Sequence, residues 1–330
     1  MRGLVWLGDD NLVVDEIAEP RARPGEVVVD VLRAGICGSD LHAYRGNAGT
    51  RKPPLVLGHE AVGRVGGSDE VFAIFPLTGC GTCRHCLAGS ENLCAKRSLL
   101  GLHRPGTFAE RVVVAESCLV PLPDGLAVDD AVLAEPLATS LSVFSANSVP
   151  AQPPSSQLIV VVGCGPIGLL ALHAALWLTT PLAEVQMVDP EAERREVALD
   201  LGATSVYATV DELPTAAADL VIDAVGIEET WTGALKTVRP GGTVAVVGLG
   251  QSNGNVDMGQ IVRSGITLRG SYAYSRRDFE QALALLASSP LRRSLVTTVC
   301  LEEGPAAFRL LVKQPGRVLK MLLDPTAEGE

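Results

Sequence analysis

The sequence has no surplus of positive charge. Twenty-seven Lys and Arg stand against 38 Asp and Glu, a formal charge of −11 over 330 residues. Nucleic acids and anionic membrane surfaces select for basic patches, so neither is expected as a partner. Long apolar runs are missing as well. LLALHAALWL at 169–178 is the stretch that comes nearest, and it is too short to cross a bilayer. The opening MRGLVWLGDD meets charge too soon for a signal peptide, which leaves a soluble, cytoplasmic protein as the expectation. There is no internal repeat, and the only low-complexity segment is the polar, proline-rich ANSVPAQPPSSQ at 146–157. Cysteine is sparse at eight residues, with half of them clustered. That pattern points to metal chemistry in a reducing compartment, not to a secreted disulfide framework.

The cluster is Cys80, Cys83, Cys86 and Cys94, spaced C-x2-C-x2-C-x7-C in a loop that also holds Gly79, Gly81 and Gly89. Thiolates repeated at this interval can converge on a tetrahedral Zn2+, which takes sulfur ligands at about 2.3 Å. Four protein ligands leave no open position, so this site predicts a structural metal with the chemistry elsewhere. The competing readings are a free-thiol loop or two disulfides.

The chain is long enough for two domains with separate cores. Residues 1–145 read as short strands and turns, with β-rich VVVDVL (27–32) and RVVVA (111–115). Beyond the connector the rhythm becomes strand–helix–strand. LIVVVG (158–163) is a continuous apolar run, as a buried parallel strand requires, and a helix is expected at 166–178. Further strands fit 185–189, 205–208, 219–224, 243–248 and 266–271, with helices at 191–201 and 276–288. This alternation predicts an α/β doubly wound parallel sheet of the Rossmann type.

Gly163-Cys164-Gly165-Pro166-Ile167-Gly168 matches G-x-G-x-x-G and sits where it must, closing an apolar strand and opening a helix. Gly163 suits the tight turn, Gly165 the approach of a pyrophosphate to backbone amides, and Gly168 close helix–strand packing. Asp189 ends the next strand. A carboxylate there accepts ribose hydroxyls and repels a 2′-phosphate, so NAD is expected over NADP. Arg194 and Arg195 are the side chains able to reach such a phosphate. Arg194 is carried as a candidate cofactor contact, although EAERRE reads more simply as a solvated helix face with i,i+4 pairs.

Three clusters remain: GICGSDLH at 35–42, GHE at 58–60 and AEPLA at 134–138. They offer Cys37, His59 and the carboxylates Glu60 and Glu135. Three protein ligands and an open position is the pattern of a catalytic zinc. With GICGSDLH, GHE, the four-cysteine lobe, AEPLATS and GCGPIG in this order, the chain resembles the zinc-dependent medium-chain dehydrogenase/reductase family over nearly its whole length, in the branch of the sorbitol and threonine dehydrogenases. The resemblance implies a GroES-like β-barrel catalytic domain over 1–146, an NAD-binding domain over 147–288 and a return to the catalytic domain over 289–330. It implies two zinc ions, and Cys37 and His59 as catalytic ligands. Glu135 stands at the third ligand's place and Glu60 can exchange with water, a choice left open. Ser39 matches a hydroxyl that contacts the substrate oxygen, and His42 the outer end of a proton relay. Thr139 matches a residue beside the nicotinamide, Ile167 one behind that ring, and Lys320 a basic position near the pyrophosphate. Homodimers or homotetramers are expected, with the strand at 266–271 as a possible junction.

Two features depart from the family's pattern. The segment between Glu60 and Cys80 lacks a hairpin's worth of residues, with Gly66-Gly67-Ser68-Asp69 as the replacement turn. Ala273 stands where sorbitol-type enzymes carry an arginine, flanked by Tyr272 and Tyr274. Tyr44 and Phe75 are candidate pocket walls that read equally as core. Cys118, Cys164 and Cys300 read as isolated thiols and His85 as a solvent-facing residue. The leading expectation is reversible NAD-linked oxidation of a secondary alcohol, polyol, sugar or cyclitol. The alternatives are an NAD(P)H-dependent reductase of an aldehyde, imine or activated alkene, and a zinc interaction module.

Overall fold

The computed structural model describes residues 1–147, 157–179, 183–291, 293–313 and 316–327. The chain divides into two compact units, Met1–Ala138 with Tyr274–Glu330, and Thr139–Ala273.

The first unit is built around the strand Glu26–Gly35. Its early residues pair antiparallel with Arg111–Ala115, its length with Glu60–Val65, and its last two residues with the C-terminal strand Lys320–Asp324. The register breaks between Val31 and Arg33, a bulge that lets one long strand serve three partners. Val71–Ile74 and Leu119–Pro121 extend the sheet on one side and Val296–Cys300 on the other. A three-stranded sheet of Asn11–Glu16, Arg2–Gly8 and Leu55–Val56 lies in the same unit. Leu4, Val29, Val31, Leu57, Phe108 and Phe308 lie in the shared core and are almost fully buried. The shortened segment closes as expected. Glu60–Val65 and Val71–Ile74 form a hairpin whose turn begins Val65-Gly66-Gly67-Ser68, with φ of 57° and 76° at the two glycines and Ser68 N–H donating to Val65 O at 3.0 Å. Positive φ at both central positions is a conformation that glycine adopts without strain.

The second unit is a six-stranded parallel sheet in the order Ser205–Tyr207, Glu184–Val188, Leu158–Val162, Ala218–Asp223, Val238–Val246 and Thr267–Gly270. In chain order that is 3-2-1-4-5-6, the doubly wound arrangement whose direction reverses beside the first strand. Ile159, Val160, Val161 and Val162 are buried, so the strand is covered on both faces.

The unit boundaries differ from the expected 146/147 and 288/289. The first falls inside the helix Ala134–Asn147, where Ser140 Oγ donates to Ile167 O at 3.0 Å and Ser142 Oγ lies 3.1 Å from Ser271 Oγ, both within the second unit. Residues 148–156 of the expected connector lie outside the described residues. The second boundary precedes Tyr274. The helix Arg276–Ser288 therefore belongs with the first unit, where Phe279 packs on Phe75 and Tyr274 and Arg276 donates to the carbonyls of Ser117 and Leu119. An apolar helix face does not reveal which of two cores it serves, which is why the sequence pattern misplaced it. Among the described residues, no helix is long and apolar enough to cross a membrane.

Candidate metal centre and dinucleotide loop

Register brings the first site together. Glu60 starts its strand opposite Gly35, and Gly35 on its other side pairs with Leu322 of the C-terminal strand. A Cβ on Gly35 would overlap Glu60 Oε2, so glycine is what leaves room for the carboxylate. Cys37 follows two residues later and caps the short helix Gly38–Tyr44. Ligand atoms of Cys37, His59 and Glu60 all lie within 4.8 Å of one another. Glu135 is not in that group. Its Oε1 accepts a 2.7 Å hydrogen bond from the buried Tyr274 hydroxyl.

Charged groups surround these donors. Asp40 is fully buried. Its Oδ2 accepts from the Cys37 amide at 3.2 Å, and its Oδ1 lies 3.2 Å from an Arg51 terminal nitrogen and 3.6 Å from His59 Nδ1. Glu60 is 0% exposed and Lys320 2%, and Lys320 Nζ stands 2.8 Å from Glu60 Oε1 and 3.2 Å from Ile36 O. Lys320 was expected at a pyrophosphate; here it is the counter-ion of a carboxylate beside the metal donors, in the first unit. Glu60 Oε2 and His59 Nδ1 are buried without a hydrogen-bond partner.

The buried charges perturb one another strongly. Burial pulls the His59 imidazole down, but Asp40, then Cys37 and Glu135, outweigh it and lift it to about 10. Burial, with Glu60 nearby, raises Glu135 to about 7. Burial also opposes the Lys320 charge, yet Glu60 and Cys37 raise its pKa above the ordinary value. Three buried carboxyl groups, of Asp40, Glu60 and Glu135, thus crowd the His59 imidazole and the cations of Arg51 and Lys320. One sulfur, one imidazole and one carboxylate converge there, a donor set that suits Zn2+.

The four-cysteine lobe supplies the second donor set. Its Sγ atoms all lie within 4.8 Å of one another, with Cys83–Cys86 at 3.6 Å and Cys80–Cys86 at 4.0 Å. A tetrahedron of about 2.3 Å Zn–S bonds has edges of about 3.8 Å. All four cysteines are free thiols, so the disulfide reading fails. The amides of Cys80 and Lys96 donate to Cys94 Sγ at 3.4 and 3.3 Å. The Thr82 backbone and hydroxyl hold Cys80 down at about 5, while burial pushes Cys86 up to about 12. Cys80 and Cys86, pulled so far apart, do not both ionise near neutral pH without a cation between them.

Ser39 is half-buried and its Oγ accepts from Arg51 at 3.1 Å; His42, one turn on, is exposed. Tyr44 and Phe75 are core residues, Tyr44 edge-on to Phe308 and Phe75 edge-on to Tyr274 and Phe279. Ala273 has φ of 50° and carries no charge to the site.

In the second unit, Gly163 takes φ of 97° and its amide donates to Val188 O at 2.7 Å. Pro166 begins the helix Pro166–Leu178, followed by Ile167. A Cβ on Gly168 would overlap Gly163 O, whereas one on Gly165 would meet nothing within 4 Å. The loop is thus tight at its floor and open above Gly165, as a dinucleotide cradle requires. Asp189 is buried and accepts from the amides of Cys164 (2.8 Å) and Glu191 (2.9 Å), which leaves lone pairs on both oxygens. Arg194 lies 3.8 Å from Asp189 Oδ2, and Arg195 donates to the Asp189 and Pro190 carbonyls. Thr139 stands half-buried at the start of this unit. Three participants escaped the sequence pattern: Asp40, Arg51 and Tyr274 as the partner of Glu135. The sequence signal for Asp40 was its place three residues after Cys37; Arg51, in TRKPP, belongs to none of the motifs.

Residues 166–288 match the family model for a zinc-binding dehydrogenase, and residues 23–124 the alcohol dehydrogenase GroES-like domain. The chain is 32% identical to D-xylulose reductase A of Aspergillus oryzae, over 90% of this chain and 89% of that one. It is 29% identical to the sorbitol dehydrogenase of Halalkalibacterium halodurans, over 96% and 97%. The solved alcohol dehydrogenase TADH of Thermus sp. ATN1 superposes with a TM-score of 0.87 at 32% identity, covering 98% of this chain and 99% of that one. The two domain matches and the full-length relatives place the chain in the zinc-dependent medium-chain dehydrogenase/reductase family, the NAD(P)-linked alcohol and polyol dehydrogenases.

Proposed function

We propose that this protein is a zinc-dependent dehydrogenase that transfers hydride between NAD and a secondary alcohol, polyol, sugar or cyclitol. The observation that carries the reading is the convergence of Cys37, His59 and Glu60, whose ligand atoms all lie within 4.8 Å of one another. Cys37, His59 and Glu60 would hold the catalytic zinc, with Glu135 and its Tyr274 partner beside it as the carboxylate able to exchange in. Bound there, the zinc would supply the Lewis acidity that brings an alcohol proton into reach near neutral pH. Ser39 would accept that proton on Oγ, and His42, on the same helix face and exposed, would pass it to water. Glu60 would be held in place by Lys320 so that its free Oε2 faces the donors. Cys80, Cys83, Cys86 and Cys94 would hold a structural zinc.

Gly163, Gly165, Pro166, Ile167 and Gly168 would receive the pyrophosphate, and Asp189 the ribose hydroxyls, with Arg194 capping the carboxylate. A buried carboxylate at that place favours NAD over NADP. The reductase alternative gains nothing from the site, whose full donor set suits alcohol chemistry. Subunit pairing through the edge strand Thr267–Gly270, with exposed Val262 and Leu268 beside it, accords with a dimer or tetramer, and eight free thiols accord with a reducing, cytoplasmic setting.

The test is an NAD+-reduction screen over secondary alcohols, alditols, sugars, cyclitols and amino alcohols, with metal content measured on the same sample. Two zinc per chain and turnover that disappears in Cys37→Ser are expected. Undiminished turnover after the metal is stripped would end the reading.

A further inference from the structure

Arg51 is buried in the first unit at 8% exposure. Its Nε donates to Gly101 O at 2.9 Å. One terminal nitrogen reaches both Ser39 Oγ at 3.1 Å and Asp40 Oδ1 at 3.2 Å. Asp40 in turn lies 3.6 Å from His59 Nδ1 and accepts from the Cys37 amide. A single side chain therefore ties a hydroxyl on the proton path to the carboxylate behind a metal donor.

We propose that Arg51 is a positioning residue that locks Ser39 and Asp40, and through Asp40 the His59 imidazole, into one rigid frame. The hydrogen-bond inventory of Ser39 gives the frame a direction. A serine oxygen has two lone pairs and one hydrogen. Arg51 has no acceptor and can only donate, so it occupies one lone pair. The other lone pair is left for a substrate hydroxyl, and the serine hydrogen is left to donate onward. A proton arriving on Oγ is matched by the one leaving, and the cation alongside discourages Oγ from holding both. On the other branch, Asp40 is fully buried, and its 3.2 Å contact with Arg51 holds Oδ1 in place beside His59. Lysine cannot replace this arrangement. Its single ammonium keeps the charge but lacks the planar fork that spans Gly101 O, Ser39 and Asp40 together.

The Ser39 branch rests on the dehydrogenase reading above; the Asp40 branch does not. The experiment therefore has two arms on the zinc-loaded full chain. In the first, zinc released to a chromogenic chelator is timed for wild type, Arg51→Lys and Arg51→Gln, with the four-cysteine zinc as internal control. Arg51→Gln is expected to release one zinc roughly 10- to 100-fold faster, the usual cost of disturbing a group behind a ligand, and the other at the wild-type rate. Arg51→Lys is expected to stay within about threefold of wild type, because the charge beside Asp40 remains. In the second arm, kcat and KM are measured for Arg51→Lys, Ser39→Ala and the double variant. Arg51→Lys should lower kcat about tenfold with little change in KM, and the double variant should match Ser39→Ala alone, since the two act as a unit.

Multiplying losses in the double variant, or wild-type zinc release from Arg51→Gln, would overturn the proposal. If Arg51→Gln loses its far-UV circular dichroism, Asp40→Asn takes its place in the first arm, with faster release of one zinc again expected and an unchanged rate refuting. A wild type without NAD-linked turnover would instead sink the dehydrogenase reading and leave the zinc arm to decide on Arg51.

Discussion

Replacing Lys320 by Met should unfold the metal-stripped protein several degrees earlier. The side chains of Lys320 and Glu60 are 1% and 0% exposed and their charged atoms are 2.8 Å apart. At an effective dielectric of about 20 such a pair attracts with about 6 kcal/mol before desolvation is subtracted. Removing one partner strands the other charge in the interior, which costs roughly 3–5 kcal/mol. In a unit of this size each kcal/mol moves the melting midpoint by about 2–4 °C, so a fall of about 10 °C is expected. The assay is thermal unfolding by circular dichroism, on stripped and zinc-loaded protein in parallel. The zinc-loaded variant should lose less, because the freed Glu60 Oε1 can turn to the metal. Glu60→Gln in the Lys320→Met background removes the stranded charge and should recover part of the loss. A stripped Lys320→Met that melts within about 2 °C of wild type would refute the reasoning.

Glu135 makes stability pH-dependent in the stripped protein. Its folded pKa lies near 7 against an ordinary 4.5, so the native state holds its proton more tightly than the unfolded chain. Stability from this group is therefore full below about 4.5 and falls as pH rises to about 7, by up to ~3 kcal/mol. Melting curves from pH 4.5 to 7.5 should show this slope, and Glu135→Gln should flatten it. Cys94→Ser removes a buried thiol that takes two amide hydrogen bonds, and zinc by mass spectrometry should fall from two to one per chain. Gly168→Ala places a Cβ on the Gly163 carbonyl, so calorimetry should show NAD+ affinity weakened at least roughly tenfold with zinc content unchanged.

What the sequence made legible was local. The four-cysteine lobe, the glycine loop and the parallel strands each lie within a short stretch whose spacing or apolar run carries the information. The candidate metal donors were legible only through the ordered motifs GICGSDLH, GHE and AEPLA, since nothing in the spacing of Cys37 and His59 says that strand register will join them. Lys320 shows the limit. Its partner lies 260 positions away, and a lone lysine before an apolar run looks like the start of any exposed strand. Arg51 was hidden by its neighbour, since Arg51-Lys52 beside two prolines resembles a solvated turn. The helix Arg276–Ser288 was found, but its unit depended on Phe279 stacking with Tyr274, which no periodicity encodes.

The interleaving of the two units has a consequence for how the chain is made. Residues 139–273 form a continuous stretch and emerge from the ribosome as a whole sheet, able to fold on their own schedule. The metal pocket cannot. Cys37, His59 and Glu60 leave the tunnel early, and Glu60 waits for its ammonium partner until the strand Lys320–Asp324 pairs with Glu26–Gly35. A cation that arrives before that strand meets an unfinished shell, because the last strand of the chain supplies the partner of Glu60.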